Sequence, residues 1–319
     1  MKISVAIPAY NCAATIRETL DSVLRQTAPA DEILVLNDGS TDETLSILHS
    51  YGERITVLSW ANRGLGAARD FLSEHAQGDV IAFLDSDDIW HTRYLEVVRS
   101  LYKEHPNAAA YITGHVNFIG SCGYEWASDP FKQHAPVEVI APLPFIKRYN
   151  RAPGPFIMDC CVPKRTLAAI GKEAFRLRLV EDLYFFNLVA AVGPIVFLPK
   201  PMVAYRIREG SLSFNRLKLT EAEVQAFELL AKRYEEFTDK GLKRAFRHSF
   251  AAKRRLHAKV LLGAGQVRPA RDQLRRSLVN KNPLSLAKSV RLLLLSYLPA
   301  ALQPTWPSAF REWKSPQGS

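Results

Sequence analysis

Apolar and polar residues alternate in blocks along the first hundred positions. Ile3–Ile7, Glu32–Leu36, Ile55–Trp60 and Val80–Leu84 are short, mostly apolar runs. Between them, Ala13–Gln26, Asp42–Ser50 and Gly64–Ala76 place apolar residues at helical spacing, with Leu45 and Leu48 on one face of the second segment and Ala67, Phe71 and Leu72 on one face of the third. Strand–helix alternation at this spacing predicts an α/β fold, a mostly parallel, Rossmann-like sheet with helices on both faces. Strands covered on both faces need no clean two-residue alternation, and these show none.

The pattern loosens over residues 105–162. Ala109–Val116 reads as a strand, and Gly120–Pro155 is irregular. Helical spacing returns at Lys164–Ile170 and Glu181–Ala191, followed by the short apolar runs Ile195–Leu198 and Met202–Tyr205. From about Thr220 only helices are expected: Glu221–Phe237, Leu242–Leu262, Ala270–Val279 and Leu284–Leu302. The chain is therefore expected to divide into an α/β domain over residues 1–215, with halves 1–104 and 105–215, and a helical region over 216–319.

Charge sharpens that division. The net charge is +10, yet residues 216–319 hold 21 Lys and Arg against 8 Asp and Glu, while residues 1–215 hold 21 against 24. A basic helical region suggests an anionic partner such as a membrane surface, a nucleic acid or a charged saccharide; a solvated face is the plainer alternative. The apolar cluster Leu292–Leu295 with Tyr297, Leu298 and Leu302 falls short of the roughly 20 apolar residues of a membrane span. Packing against the main domain is expected of it, with an interfacial anchor as the alternative. Cys12, Cys122, Cys160 and Cys161 form no CxxC pair and have no His at zinc spacing, which points to a reducing compartment. Ile3–Ile7 runs straight into Pro8 and polar residues, unlike a signal peptide.

In open parallel sheets, ligands bind beyond the carboxyl ends of the strands. Four such ends carry unusual polar residues. In Pro8-Ala9-Tyr10-Asn11, proline ends the ladder and Asn11 can cap the next helix. In Asn37-Asp38-Gly39-Ser40-Thr41-Asp42, Asp38 can accept from a base N–H, although an Asx turn with a helix cap accounts for the same residues. In Asn62–Asp70, glycines allow a close helix start, and Arg69 one turn in can reach a diphosphate or a base. In Asp85-Ser86-Asp87-Asp88, three carboxylates crowd within four residues, which is unfavourable unless a cation or hydrogen bonds offset the repulsion. Oxygen ligands of this kind suit Mg²⁺ or Mn²⁺.

Together these segments resemble the N-terminal half of the family 2 glycosyltransferases, which have the GT-A fold. Pro8, Tyr10 and Asn11 match P-x-Y-N; Leu36–Asp42 matches V-D-D-G-S-x-D except for Asn37 at its first aspartate; Asn62–Asp70 matches N-x-G-x-x-x-A-R-N except for Asp70 at its last position; Asp85–Asp88 matches D-x-D-D. The resemblance implies a nucleotide-sugar donor held by residues 1–104 and an acceptor side over 105–215. It places Pro8, Tyr10, Asn11, Asp38, Arg69, Asp85 and Ser86 at the donor, and Asp87 and Asp88 at a Mn²⁺ or Mg²⁺ ion. Glu181-Asp182 matches the family's acidic pair opening an acceptor-side helix, which implies Asp182 as general base. Tyr205–Ser213 resembles a loop that closes over the diphosphate, but Arg208 stands at its histidine position. Arginine has no lone pair for a metal and can instead pair with the diphosphate.

The function expected is inverting transfer from a nucleoside-diphosphate sugar, UDP-linked by default with GDP and dTDP open. The acceptor is a saccharide or a lipid-linked glycan, in surface polysaccharide or glycoconjugate synthesis, at the cytoplasmic side of a membrane. The rivals are a donor-binding relative that has lost catalysis, a nucleotidyltransferase and a nucleic-acid-binding protein. Pro8–Asn11 lacks the basic, Gly-rich phosphate loop of the second, and no nucleic-acid motif supports the third.

Overall fold

The computed structural model describes the chain except residues 121–123, 127–129, 132–134, 151–154, 172–173, 176, 178, 208–214, 236–238, 280–281, 300–302 and 308–319. The chain groups into two compact units, Met1–Phe145 with Pro153–Arg208, and Ile146–Ala152 with Glu209–Ser319.

The first unit is built on one sheet with helices on both sides. Strands β1 (Ile3–Ala9), β2 (Glu32–Asn37), β3 (Thr56–Ser59) and β4 (Val80–Phe83) are parallel, in the order β3-β2-β1-β4. Every residue of β1 and β4 is buried, which explains their unbroken apolar character. Helices α1 (Ile16–Leu24), α2 (Thr44–His49) and α3 (Leu65–His75) are the crossovers, each shorter at both ends than its hydrophobic pattern. After β4 come, in chain order, β5 (Ile89–Trp90), α4 (Tyr94–Glu104), β6 (Ala110–Phe118), β7 (Glu138–Ile140), α5 (Pro142–Tyr149), β8 (Cys160–Pro163), α6 (Lys164–Ile170) and α7 (Glu181–Val192), with β7 and β8 in the stretch where the pattern loosens. The single strand β9 (Ile195–Arg206) replaces the two apolar runs expected there. In this half the sheet is mixed: β8 runs antiparallel between β4 and β6, β9 lies parallel to β6, and β5 and β7 pair antiparallel with β9.

Two details position the site. Strand β1 pairs with β4 only through Ala6, opposite Phe83. Pro8 does not end the strand as expected; it lies inside β1 opposite Leu36, past the point where β1 and β4 have parted, so its missing N–H breaks no bond to β4. Strand order also reverses between β1 and β4, which makes the gap between them the place where such sheets take ligands.

The second unit includes α8 (Arg216–Glu235), α9 (Lys240–Gly263), α10 (Val267–Arg276) and α11 (Pro283–Leu295). Asp239 caps α9, accepting from Gly241 N at 2.6 Å and Leu242 N at 2.9 Å. Phe246 stacks on Tyr234 and Phe227 with ring centroids 4.4 and 5.1 Å apart. A second cluster joins Ala258, Leu261, Leu262, Ala270 and Leu274 to Leu292, Leu293 and Trp306. Among the described residues, no helix is long and apolar enough to cross a membrane.

Candidate active site

The strand-end loops lock one another. Asn11, in a left-handed conformation (φ 46°) that asparagine tolerates, accepts from Thr41 N at 2.8 Å rather than capping α1. Asp42, not Ser40 or Thr41, secures the start of α2, with one oxygen on Thr44 N (3.0 Å) and the other on Ala13 N (3.1 Å). Gly39 (φ +72°) is required by space as well as by conformation, since a Cβ there would lie 2.6 Å from Asn62 N. Buried Asp38 accepts from Trp60 Nε1, Arg63 N (2.8 Å) and Gly64 N (2.9 Å). Its carboxylate therefore shapes the entry to α3. Tyr10 stands half-exposed beside these loops, and the Arg63 guanidinium lies 4.6 Å over the Trp60 ring.

Arg69 was expected to face a ligand, and its guanidinium is instead buried between two carboxylates. Nη2 meets Asp85 Oδ1 at 2.5 Å and Nη1 meets Glu181 Oε1 at 3.1 Å. Burial opposes its charge, but Asp85 and Glu181 outweigh burial and raise its pKa. This bridge joins the end of β4 to the N-terminus of α7 (Glu181–Val192), which carries Asp182. Close packing helps: a Cβ on Gly66 at the start of α3 would lie 1.9 Å from Phe175 O.

Asp182 accepts no hydrogen bond among the described residues. Burial, then the charge of Glu181, push its pKa well above the usual carboxylate range, and Arg69 pulls the other way. The residue before the pair, Val180, is the N-cap of α7 at φ 55°, ψ 29°. A β-branched side chain in the left-handed region is strained, and strain of this kind gathers at functional sites.

The acidic run is pinned from the far end of the sheet. Asp88 is fully buried and accepts from Arg206 N at 2.9 Å through Oδ1, while Oδ2 has no hydrogen-bond partner among the described residues. Buried Arg206 also donates to Asp87 O (2.7 Å), Gly120 O (2.5 Å) and Glu18 Oε2 (2.7 Å), and lies over the Phe118 ring. Ser86 takes part through its carbonyl, which accepts from Thr15 Oγ1 at 2.9 Å. The Tyr205 hydroxyl pKa is pushed up to about 12 by burial and the nearby aspartates. Arg208 lies outside the described residues.

A second acid–imidazole pair adjoins the centre and was not found in the sequence. His115 Nδ1 is 2.8 Å from Asp159 Oδ2, which also accepts from Phe156 N at 2.9 Å. Asp159 is fully buried and its Oδ1 lacks a partner among the described residues. Burial opposes the imidazolium, but Asp159 raises the His115 pKa overall. The two residues are 44 positions apart, on β6 and beside β8, so no local motif could announce them.

Carboxylates at strand ends, Asp182 at a helix start with no hydrogen bond among the described residues, and a rigid turn around a half-exposed tyrosine suit a phosphorylated, base-bearing ligand and proton transfer. The family model for glycosyl transferase family 2 matches residues 4–168. The chain belongs to that family. It is 38% identical over 132 residues to a chondroitin synthase of Pasteurella multocida, covering 39% of this chain and 14% of that protein. It is 30% identical over 232 residues to glycosyltransferase GlyA of Streptococcus pneumoniae, covering 66% of this chain and 31% of that protein. The chain thus spans less than a third of the length of these relatives. The solved structure of S. aureus TarS 1-349 in complex with UDP-GlcNAc aligns over 93% of this chain and 89% of that one, with a TM-score of 0.66 and 20% identity. That likeness establishes a shared GT-A fold.

Proposed function

We propose that this family 2 member is an inverting glycosyltransferase that moves a sugar from a nucleoside diphosphate, UDP by default, to a hydroxyl of a saccharide or lipid-linked acceptor. The observation that carries the reading is the Arg69 bridge. It brings Asp85, where a donor would lie, to the helix that carries Asp182, a carboxylate with no hydrogen bond among the described residues. In the proposed step Asp182 takes the proton of the acceptor hydroxyl, its oxygen bonds to the anomeric carbon, and the bond to the diphosphate breaks. One displacement inverts the anomeric configuration. The half-exposed Tyr10 offers a ring to the base, and Pro8, Asn11 and Asp38 shape that pocket.

Asp87 and Asp88 would hold Mg²⁺ or Mn²⁺. The donor set fits, because both supply oxygen and Asp88 Oδ2 is buried without a partner among the described residues. No group of three or more ligating side chains converges among the described residues, so donor phosphate and water would complete the shell. A bound divalent ion offsets charge on the leaving diphosphate. The guanidinium of Arg208 suits the same diphosphate.

The test is Asp182→Asn. Transfer should fall by about 10²–10⁴-fold, the usual worth of a general base, while UDP still raises the melting temperature in a panel with GDP, dTDP and CDP, with and without Mn²⁺. Undiminished turnover would overturn the assignment of Asp182, and stabilisation by none of the nucleotides would overturn the donor class.

A further inference from the structure

Helix α11 is turned inside out for a helix in water. Its buried residues are serines. Arg255 Nη1 donates to Ser285 Oγ at 2.9 Å and to Ser289 Oγ at 3.1 Å, and Ser277 Oγ donates to Ser289 Oγ at 2.8 Å. At the end of α11, Ser296 is buried too, accepting from Arg271 through its hydroxyl and carbonyl oxygens. The apolar residues face out: Leu284 is 76% exposed, Leu294 66% and Tyr297 54%, with Leu286, Val290 and Leu298 exposed as well. A soluble amphipathic helix normally buries this stripe. Among the described residues of α11, Leu292 and Leu293 pack in part against the helical cluster.

The charge on the helix that carries the stripe has one sign. No Asp or Glu occurs between Asp272 and Glu312, whereas Lys288 and Arg291 lie exposed on α11 itself. Arg271 sits 3.6 Å over the Tyr297 ring, and Arg275 donates to the Tyr297 hydroxyl at 3.0 Å. Exposed leucines, a tyrosine and flanking cations, with the one acid nearby on α10, Asp272, ion-paired to Arg276 at 2.8 Å, match the boundary between anionic headgroups and acyl chains. We propose that the exposed face of α11 docks on an anionic phospholipid surface. The helix lies flat, its leucines entering the acyl boundary and Lys288 and Arg291 meeting headgroup phosphates. A second copy is the poorer occupant, because a two-fold contact would bring Lys288 and Arg291 of both chains together with no acid on either helix to pair them.

The experiment is flotation of the full chain with vesicles of phosphatidylcholine alone or mixed with phosphatidylglycerol, at low and high salt. Binding is expected to the mixed vesicles only, weakening with salt. Leu284→Glu and Leu294→Glu should each lower the bound fraction by more than about tenfold. Both sites are exposed, so the melting temperature should hold. Lys288→Glu should weaken binding to the mixed vesicles. Equal binding to both vesicle types, or unchanged binding by Leu294→Glu, overturns the proposal. So does an absence of binding together with a dimer that Leu294→Glu dissociates. UDP-induced stabilisation reads the first unit separately, so membrane docking and donor binding fail independently.

Discussion

The two units both bury arginine, but they surround it differently. In the first, Arg69 lies between Asp85 and Glu181, and Arg206 reaches Glu18 while its backbone holds Asp88. In the second, Arg255 is buried among the hydroxyls of Ser285 and Ser289 and has no carboxylate partner among the described residues. Burial alone lowers its pKa, whereas the carboxylates around Arg69 raise the pKa there. The arginines of the first unit answer a need for acids at a strand end, where crowded carboxylates would otherwise repel. Arg255 answers a geometric need, since its Nη1, bonded to both Ser285 and Ser289, fixes which face of α11 turns inward.

The largest expected effect tests that contrast directly. Arg69→Ala leaves buried acids uncompensated and should cost about 3–5 kcal/mol in denaturant unfolding. Arg69→Lys should recover only part of it, because one ammonium cannot span Asp85 and Glu181 as a fork does. Arg255→Met removes hydrogen bonds but strands no opposite charge, and should cost about 1–3 kcal/mol. Equal costs would break the comparison. Between these extremes lies Arg206→Ala, at about 2–4 kcal/mol given that Glu18 is partly exposed. It should also lower kcat by about 10²-fold, because the Asp87–Asp88 loop loses its anchor.

How legible each arginine was in the sequence follows from where its partners lie. The four strand-end motifs are local, and the parallel half of the sheet could be read from spacing alone. The partners of Arg69 are 16 and 112 residues away, and that of Arg206 is 188 away. Such pairs exist only once β4, α7 and β9 are assembled. Strand β8 was hidden for the same reason: Cys160–Pro163 is four residues long and defined by antiparallel pairing to β4 and β6 rather than by any period of its own. In α11 the apolar cluster Leu292–Leu295 was plain, but the side on which its helix is buried was not. An amphipathic pattern shows that one face differs from the other, and only Arg255 reveals that the serine face is the buried one.

Acidity gives a sharper and smaller test. Burial raises the pKa of Asp182, of Glu181 and of Asp159, with Arg69 and His115 as partial offsets. A carboxyl whose folded pKa exceeds its unfolded value binds protons more readily in the folded state, so it adds stability as pH falls toward about 4. Asp31, Asp42 and Glu96 are shifted the other way, and the stability they supply is lost below that point. The melting temperature should therefore rise from neutral to mildly acid pH and then fall. Transfer should decline over the same rise, because Asp182 must be ionised to accept a proton. In Asp159→Asn part of the rise should vanish; an unchanged profile would remove Asp159 from the buried acidic centre.

The smallest effect concerns Val180. Its left-handed backbone sets the direction of the first turn of α7, and a β-branched residue there is strained by roughly 1 kcal/mol or more. Glycine adopts that conformation freely, yet it also loosens the unfolded chain, so the two effects partly cancel. Val180→Gly should therefore change the melting temperature little or raise it slightly, while lowering kcat a few-fold as Glu181 and Asp182 gain freedom. A clear loss of stability would mean that the valine side chain contributes packing that outweighs its backbone cost. Strain would then be incidental to the placement of Asp182, which would rest on the Arg69 bridge to Glu181.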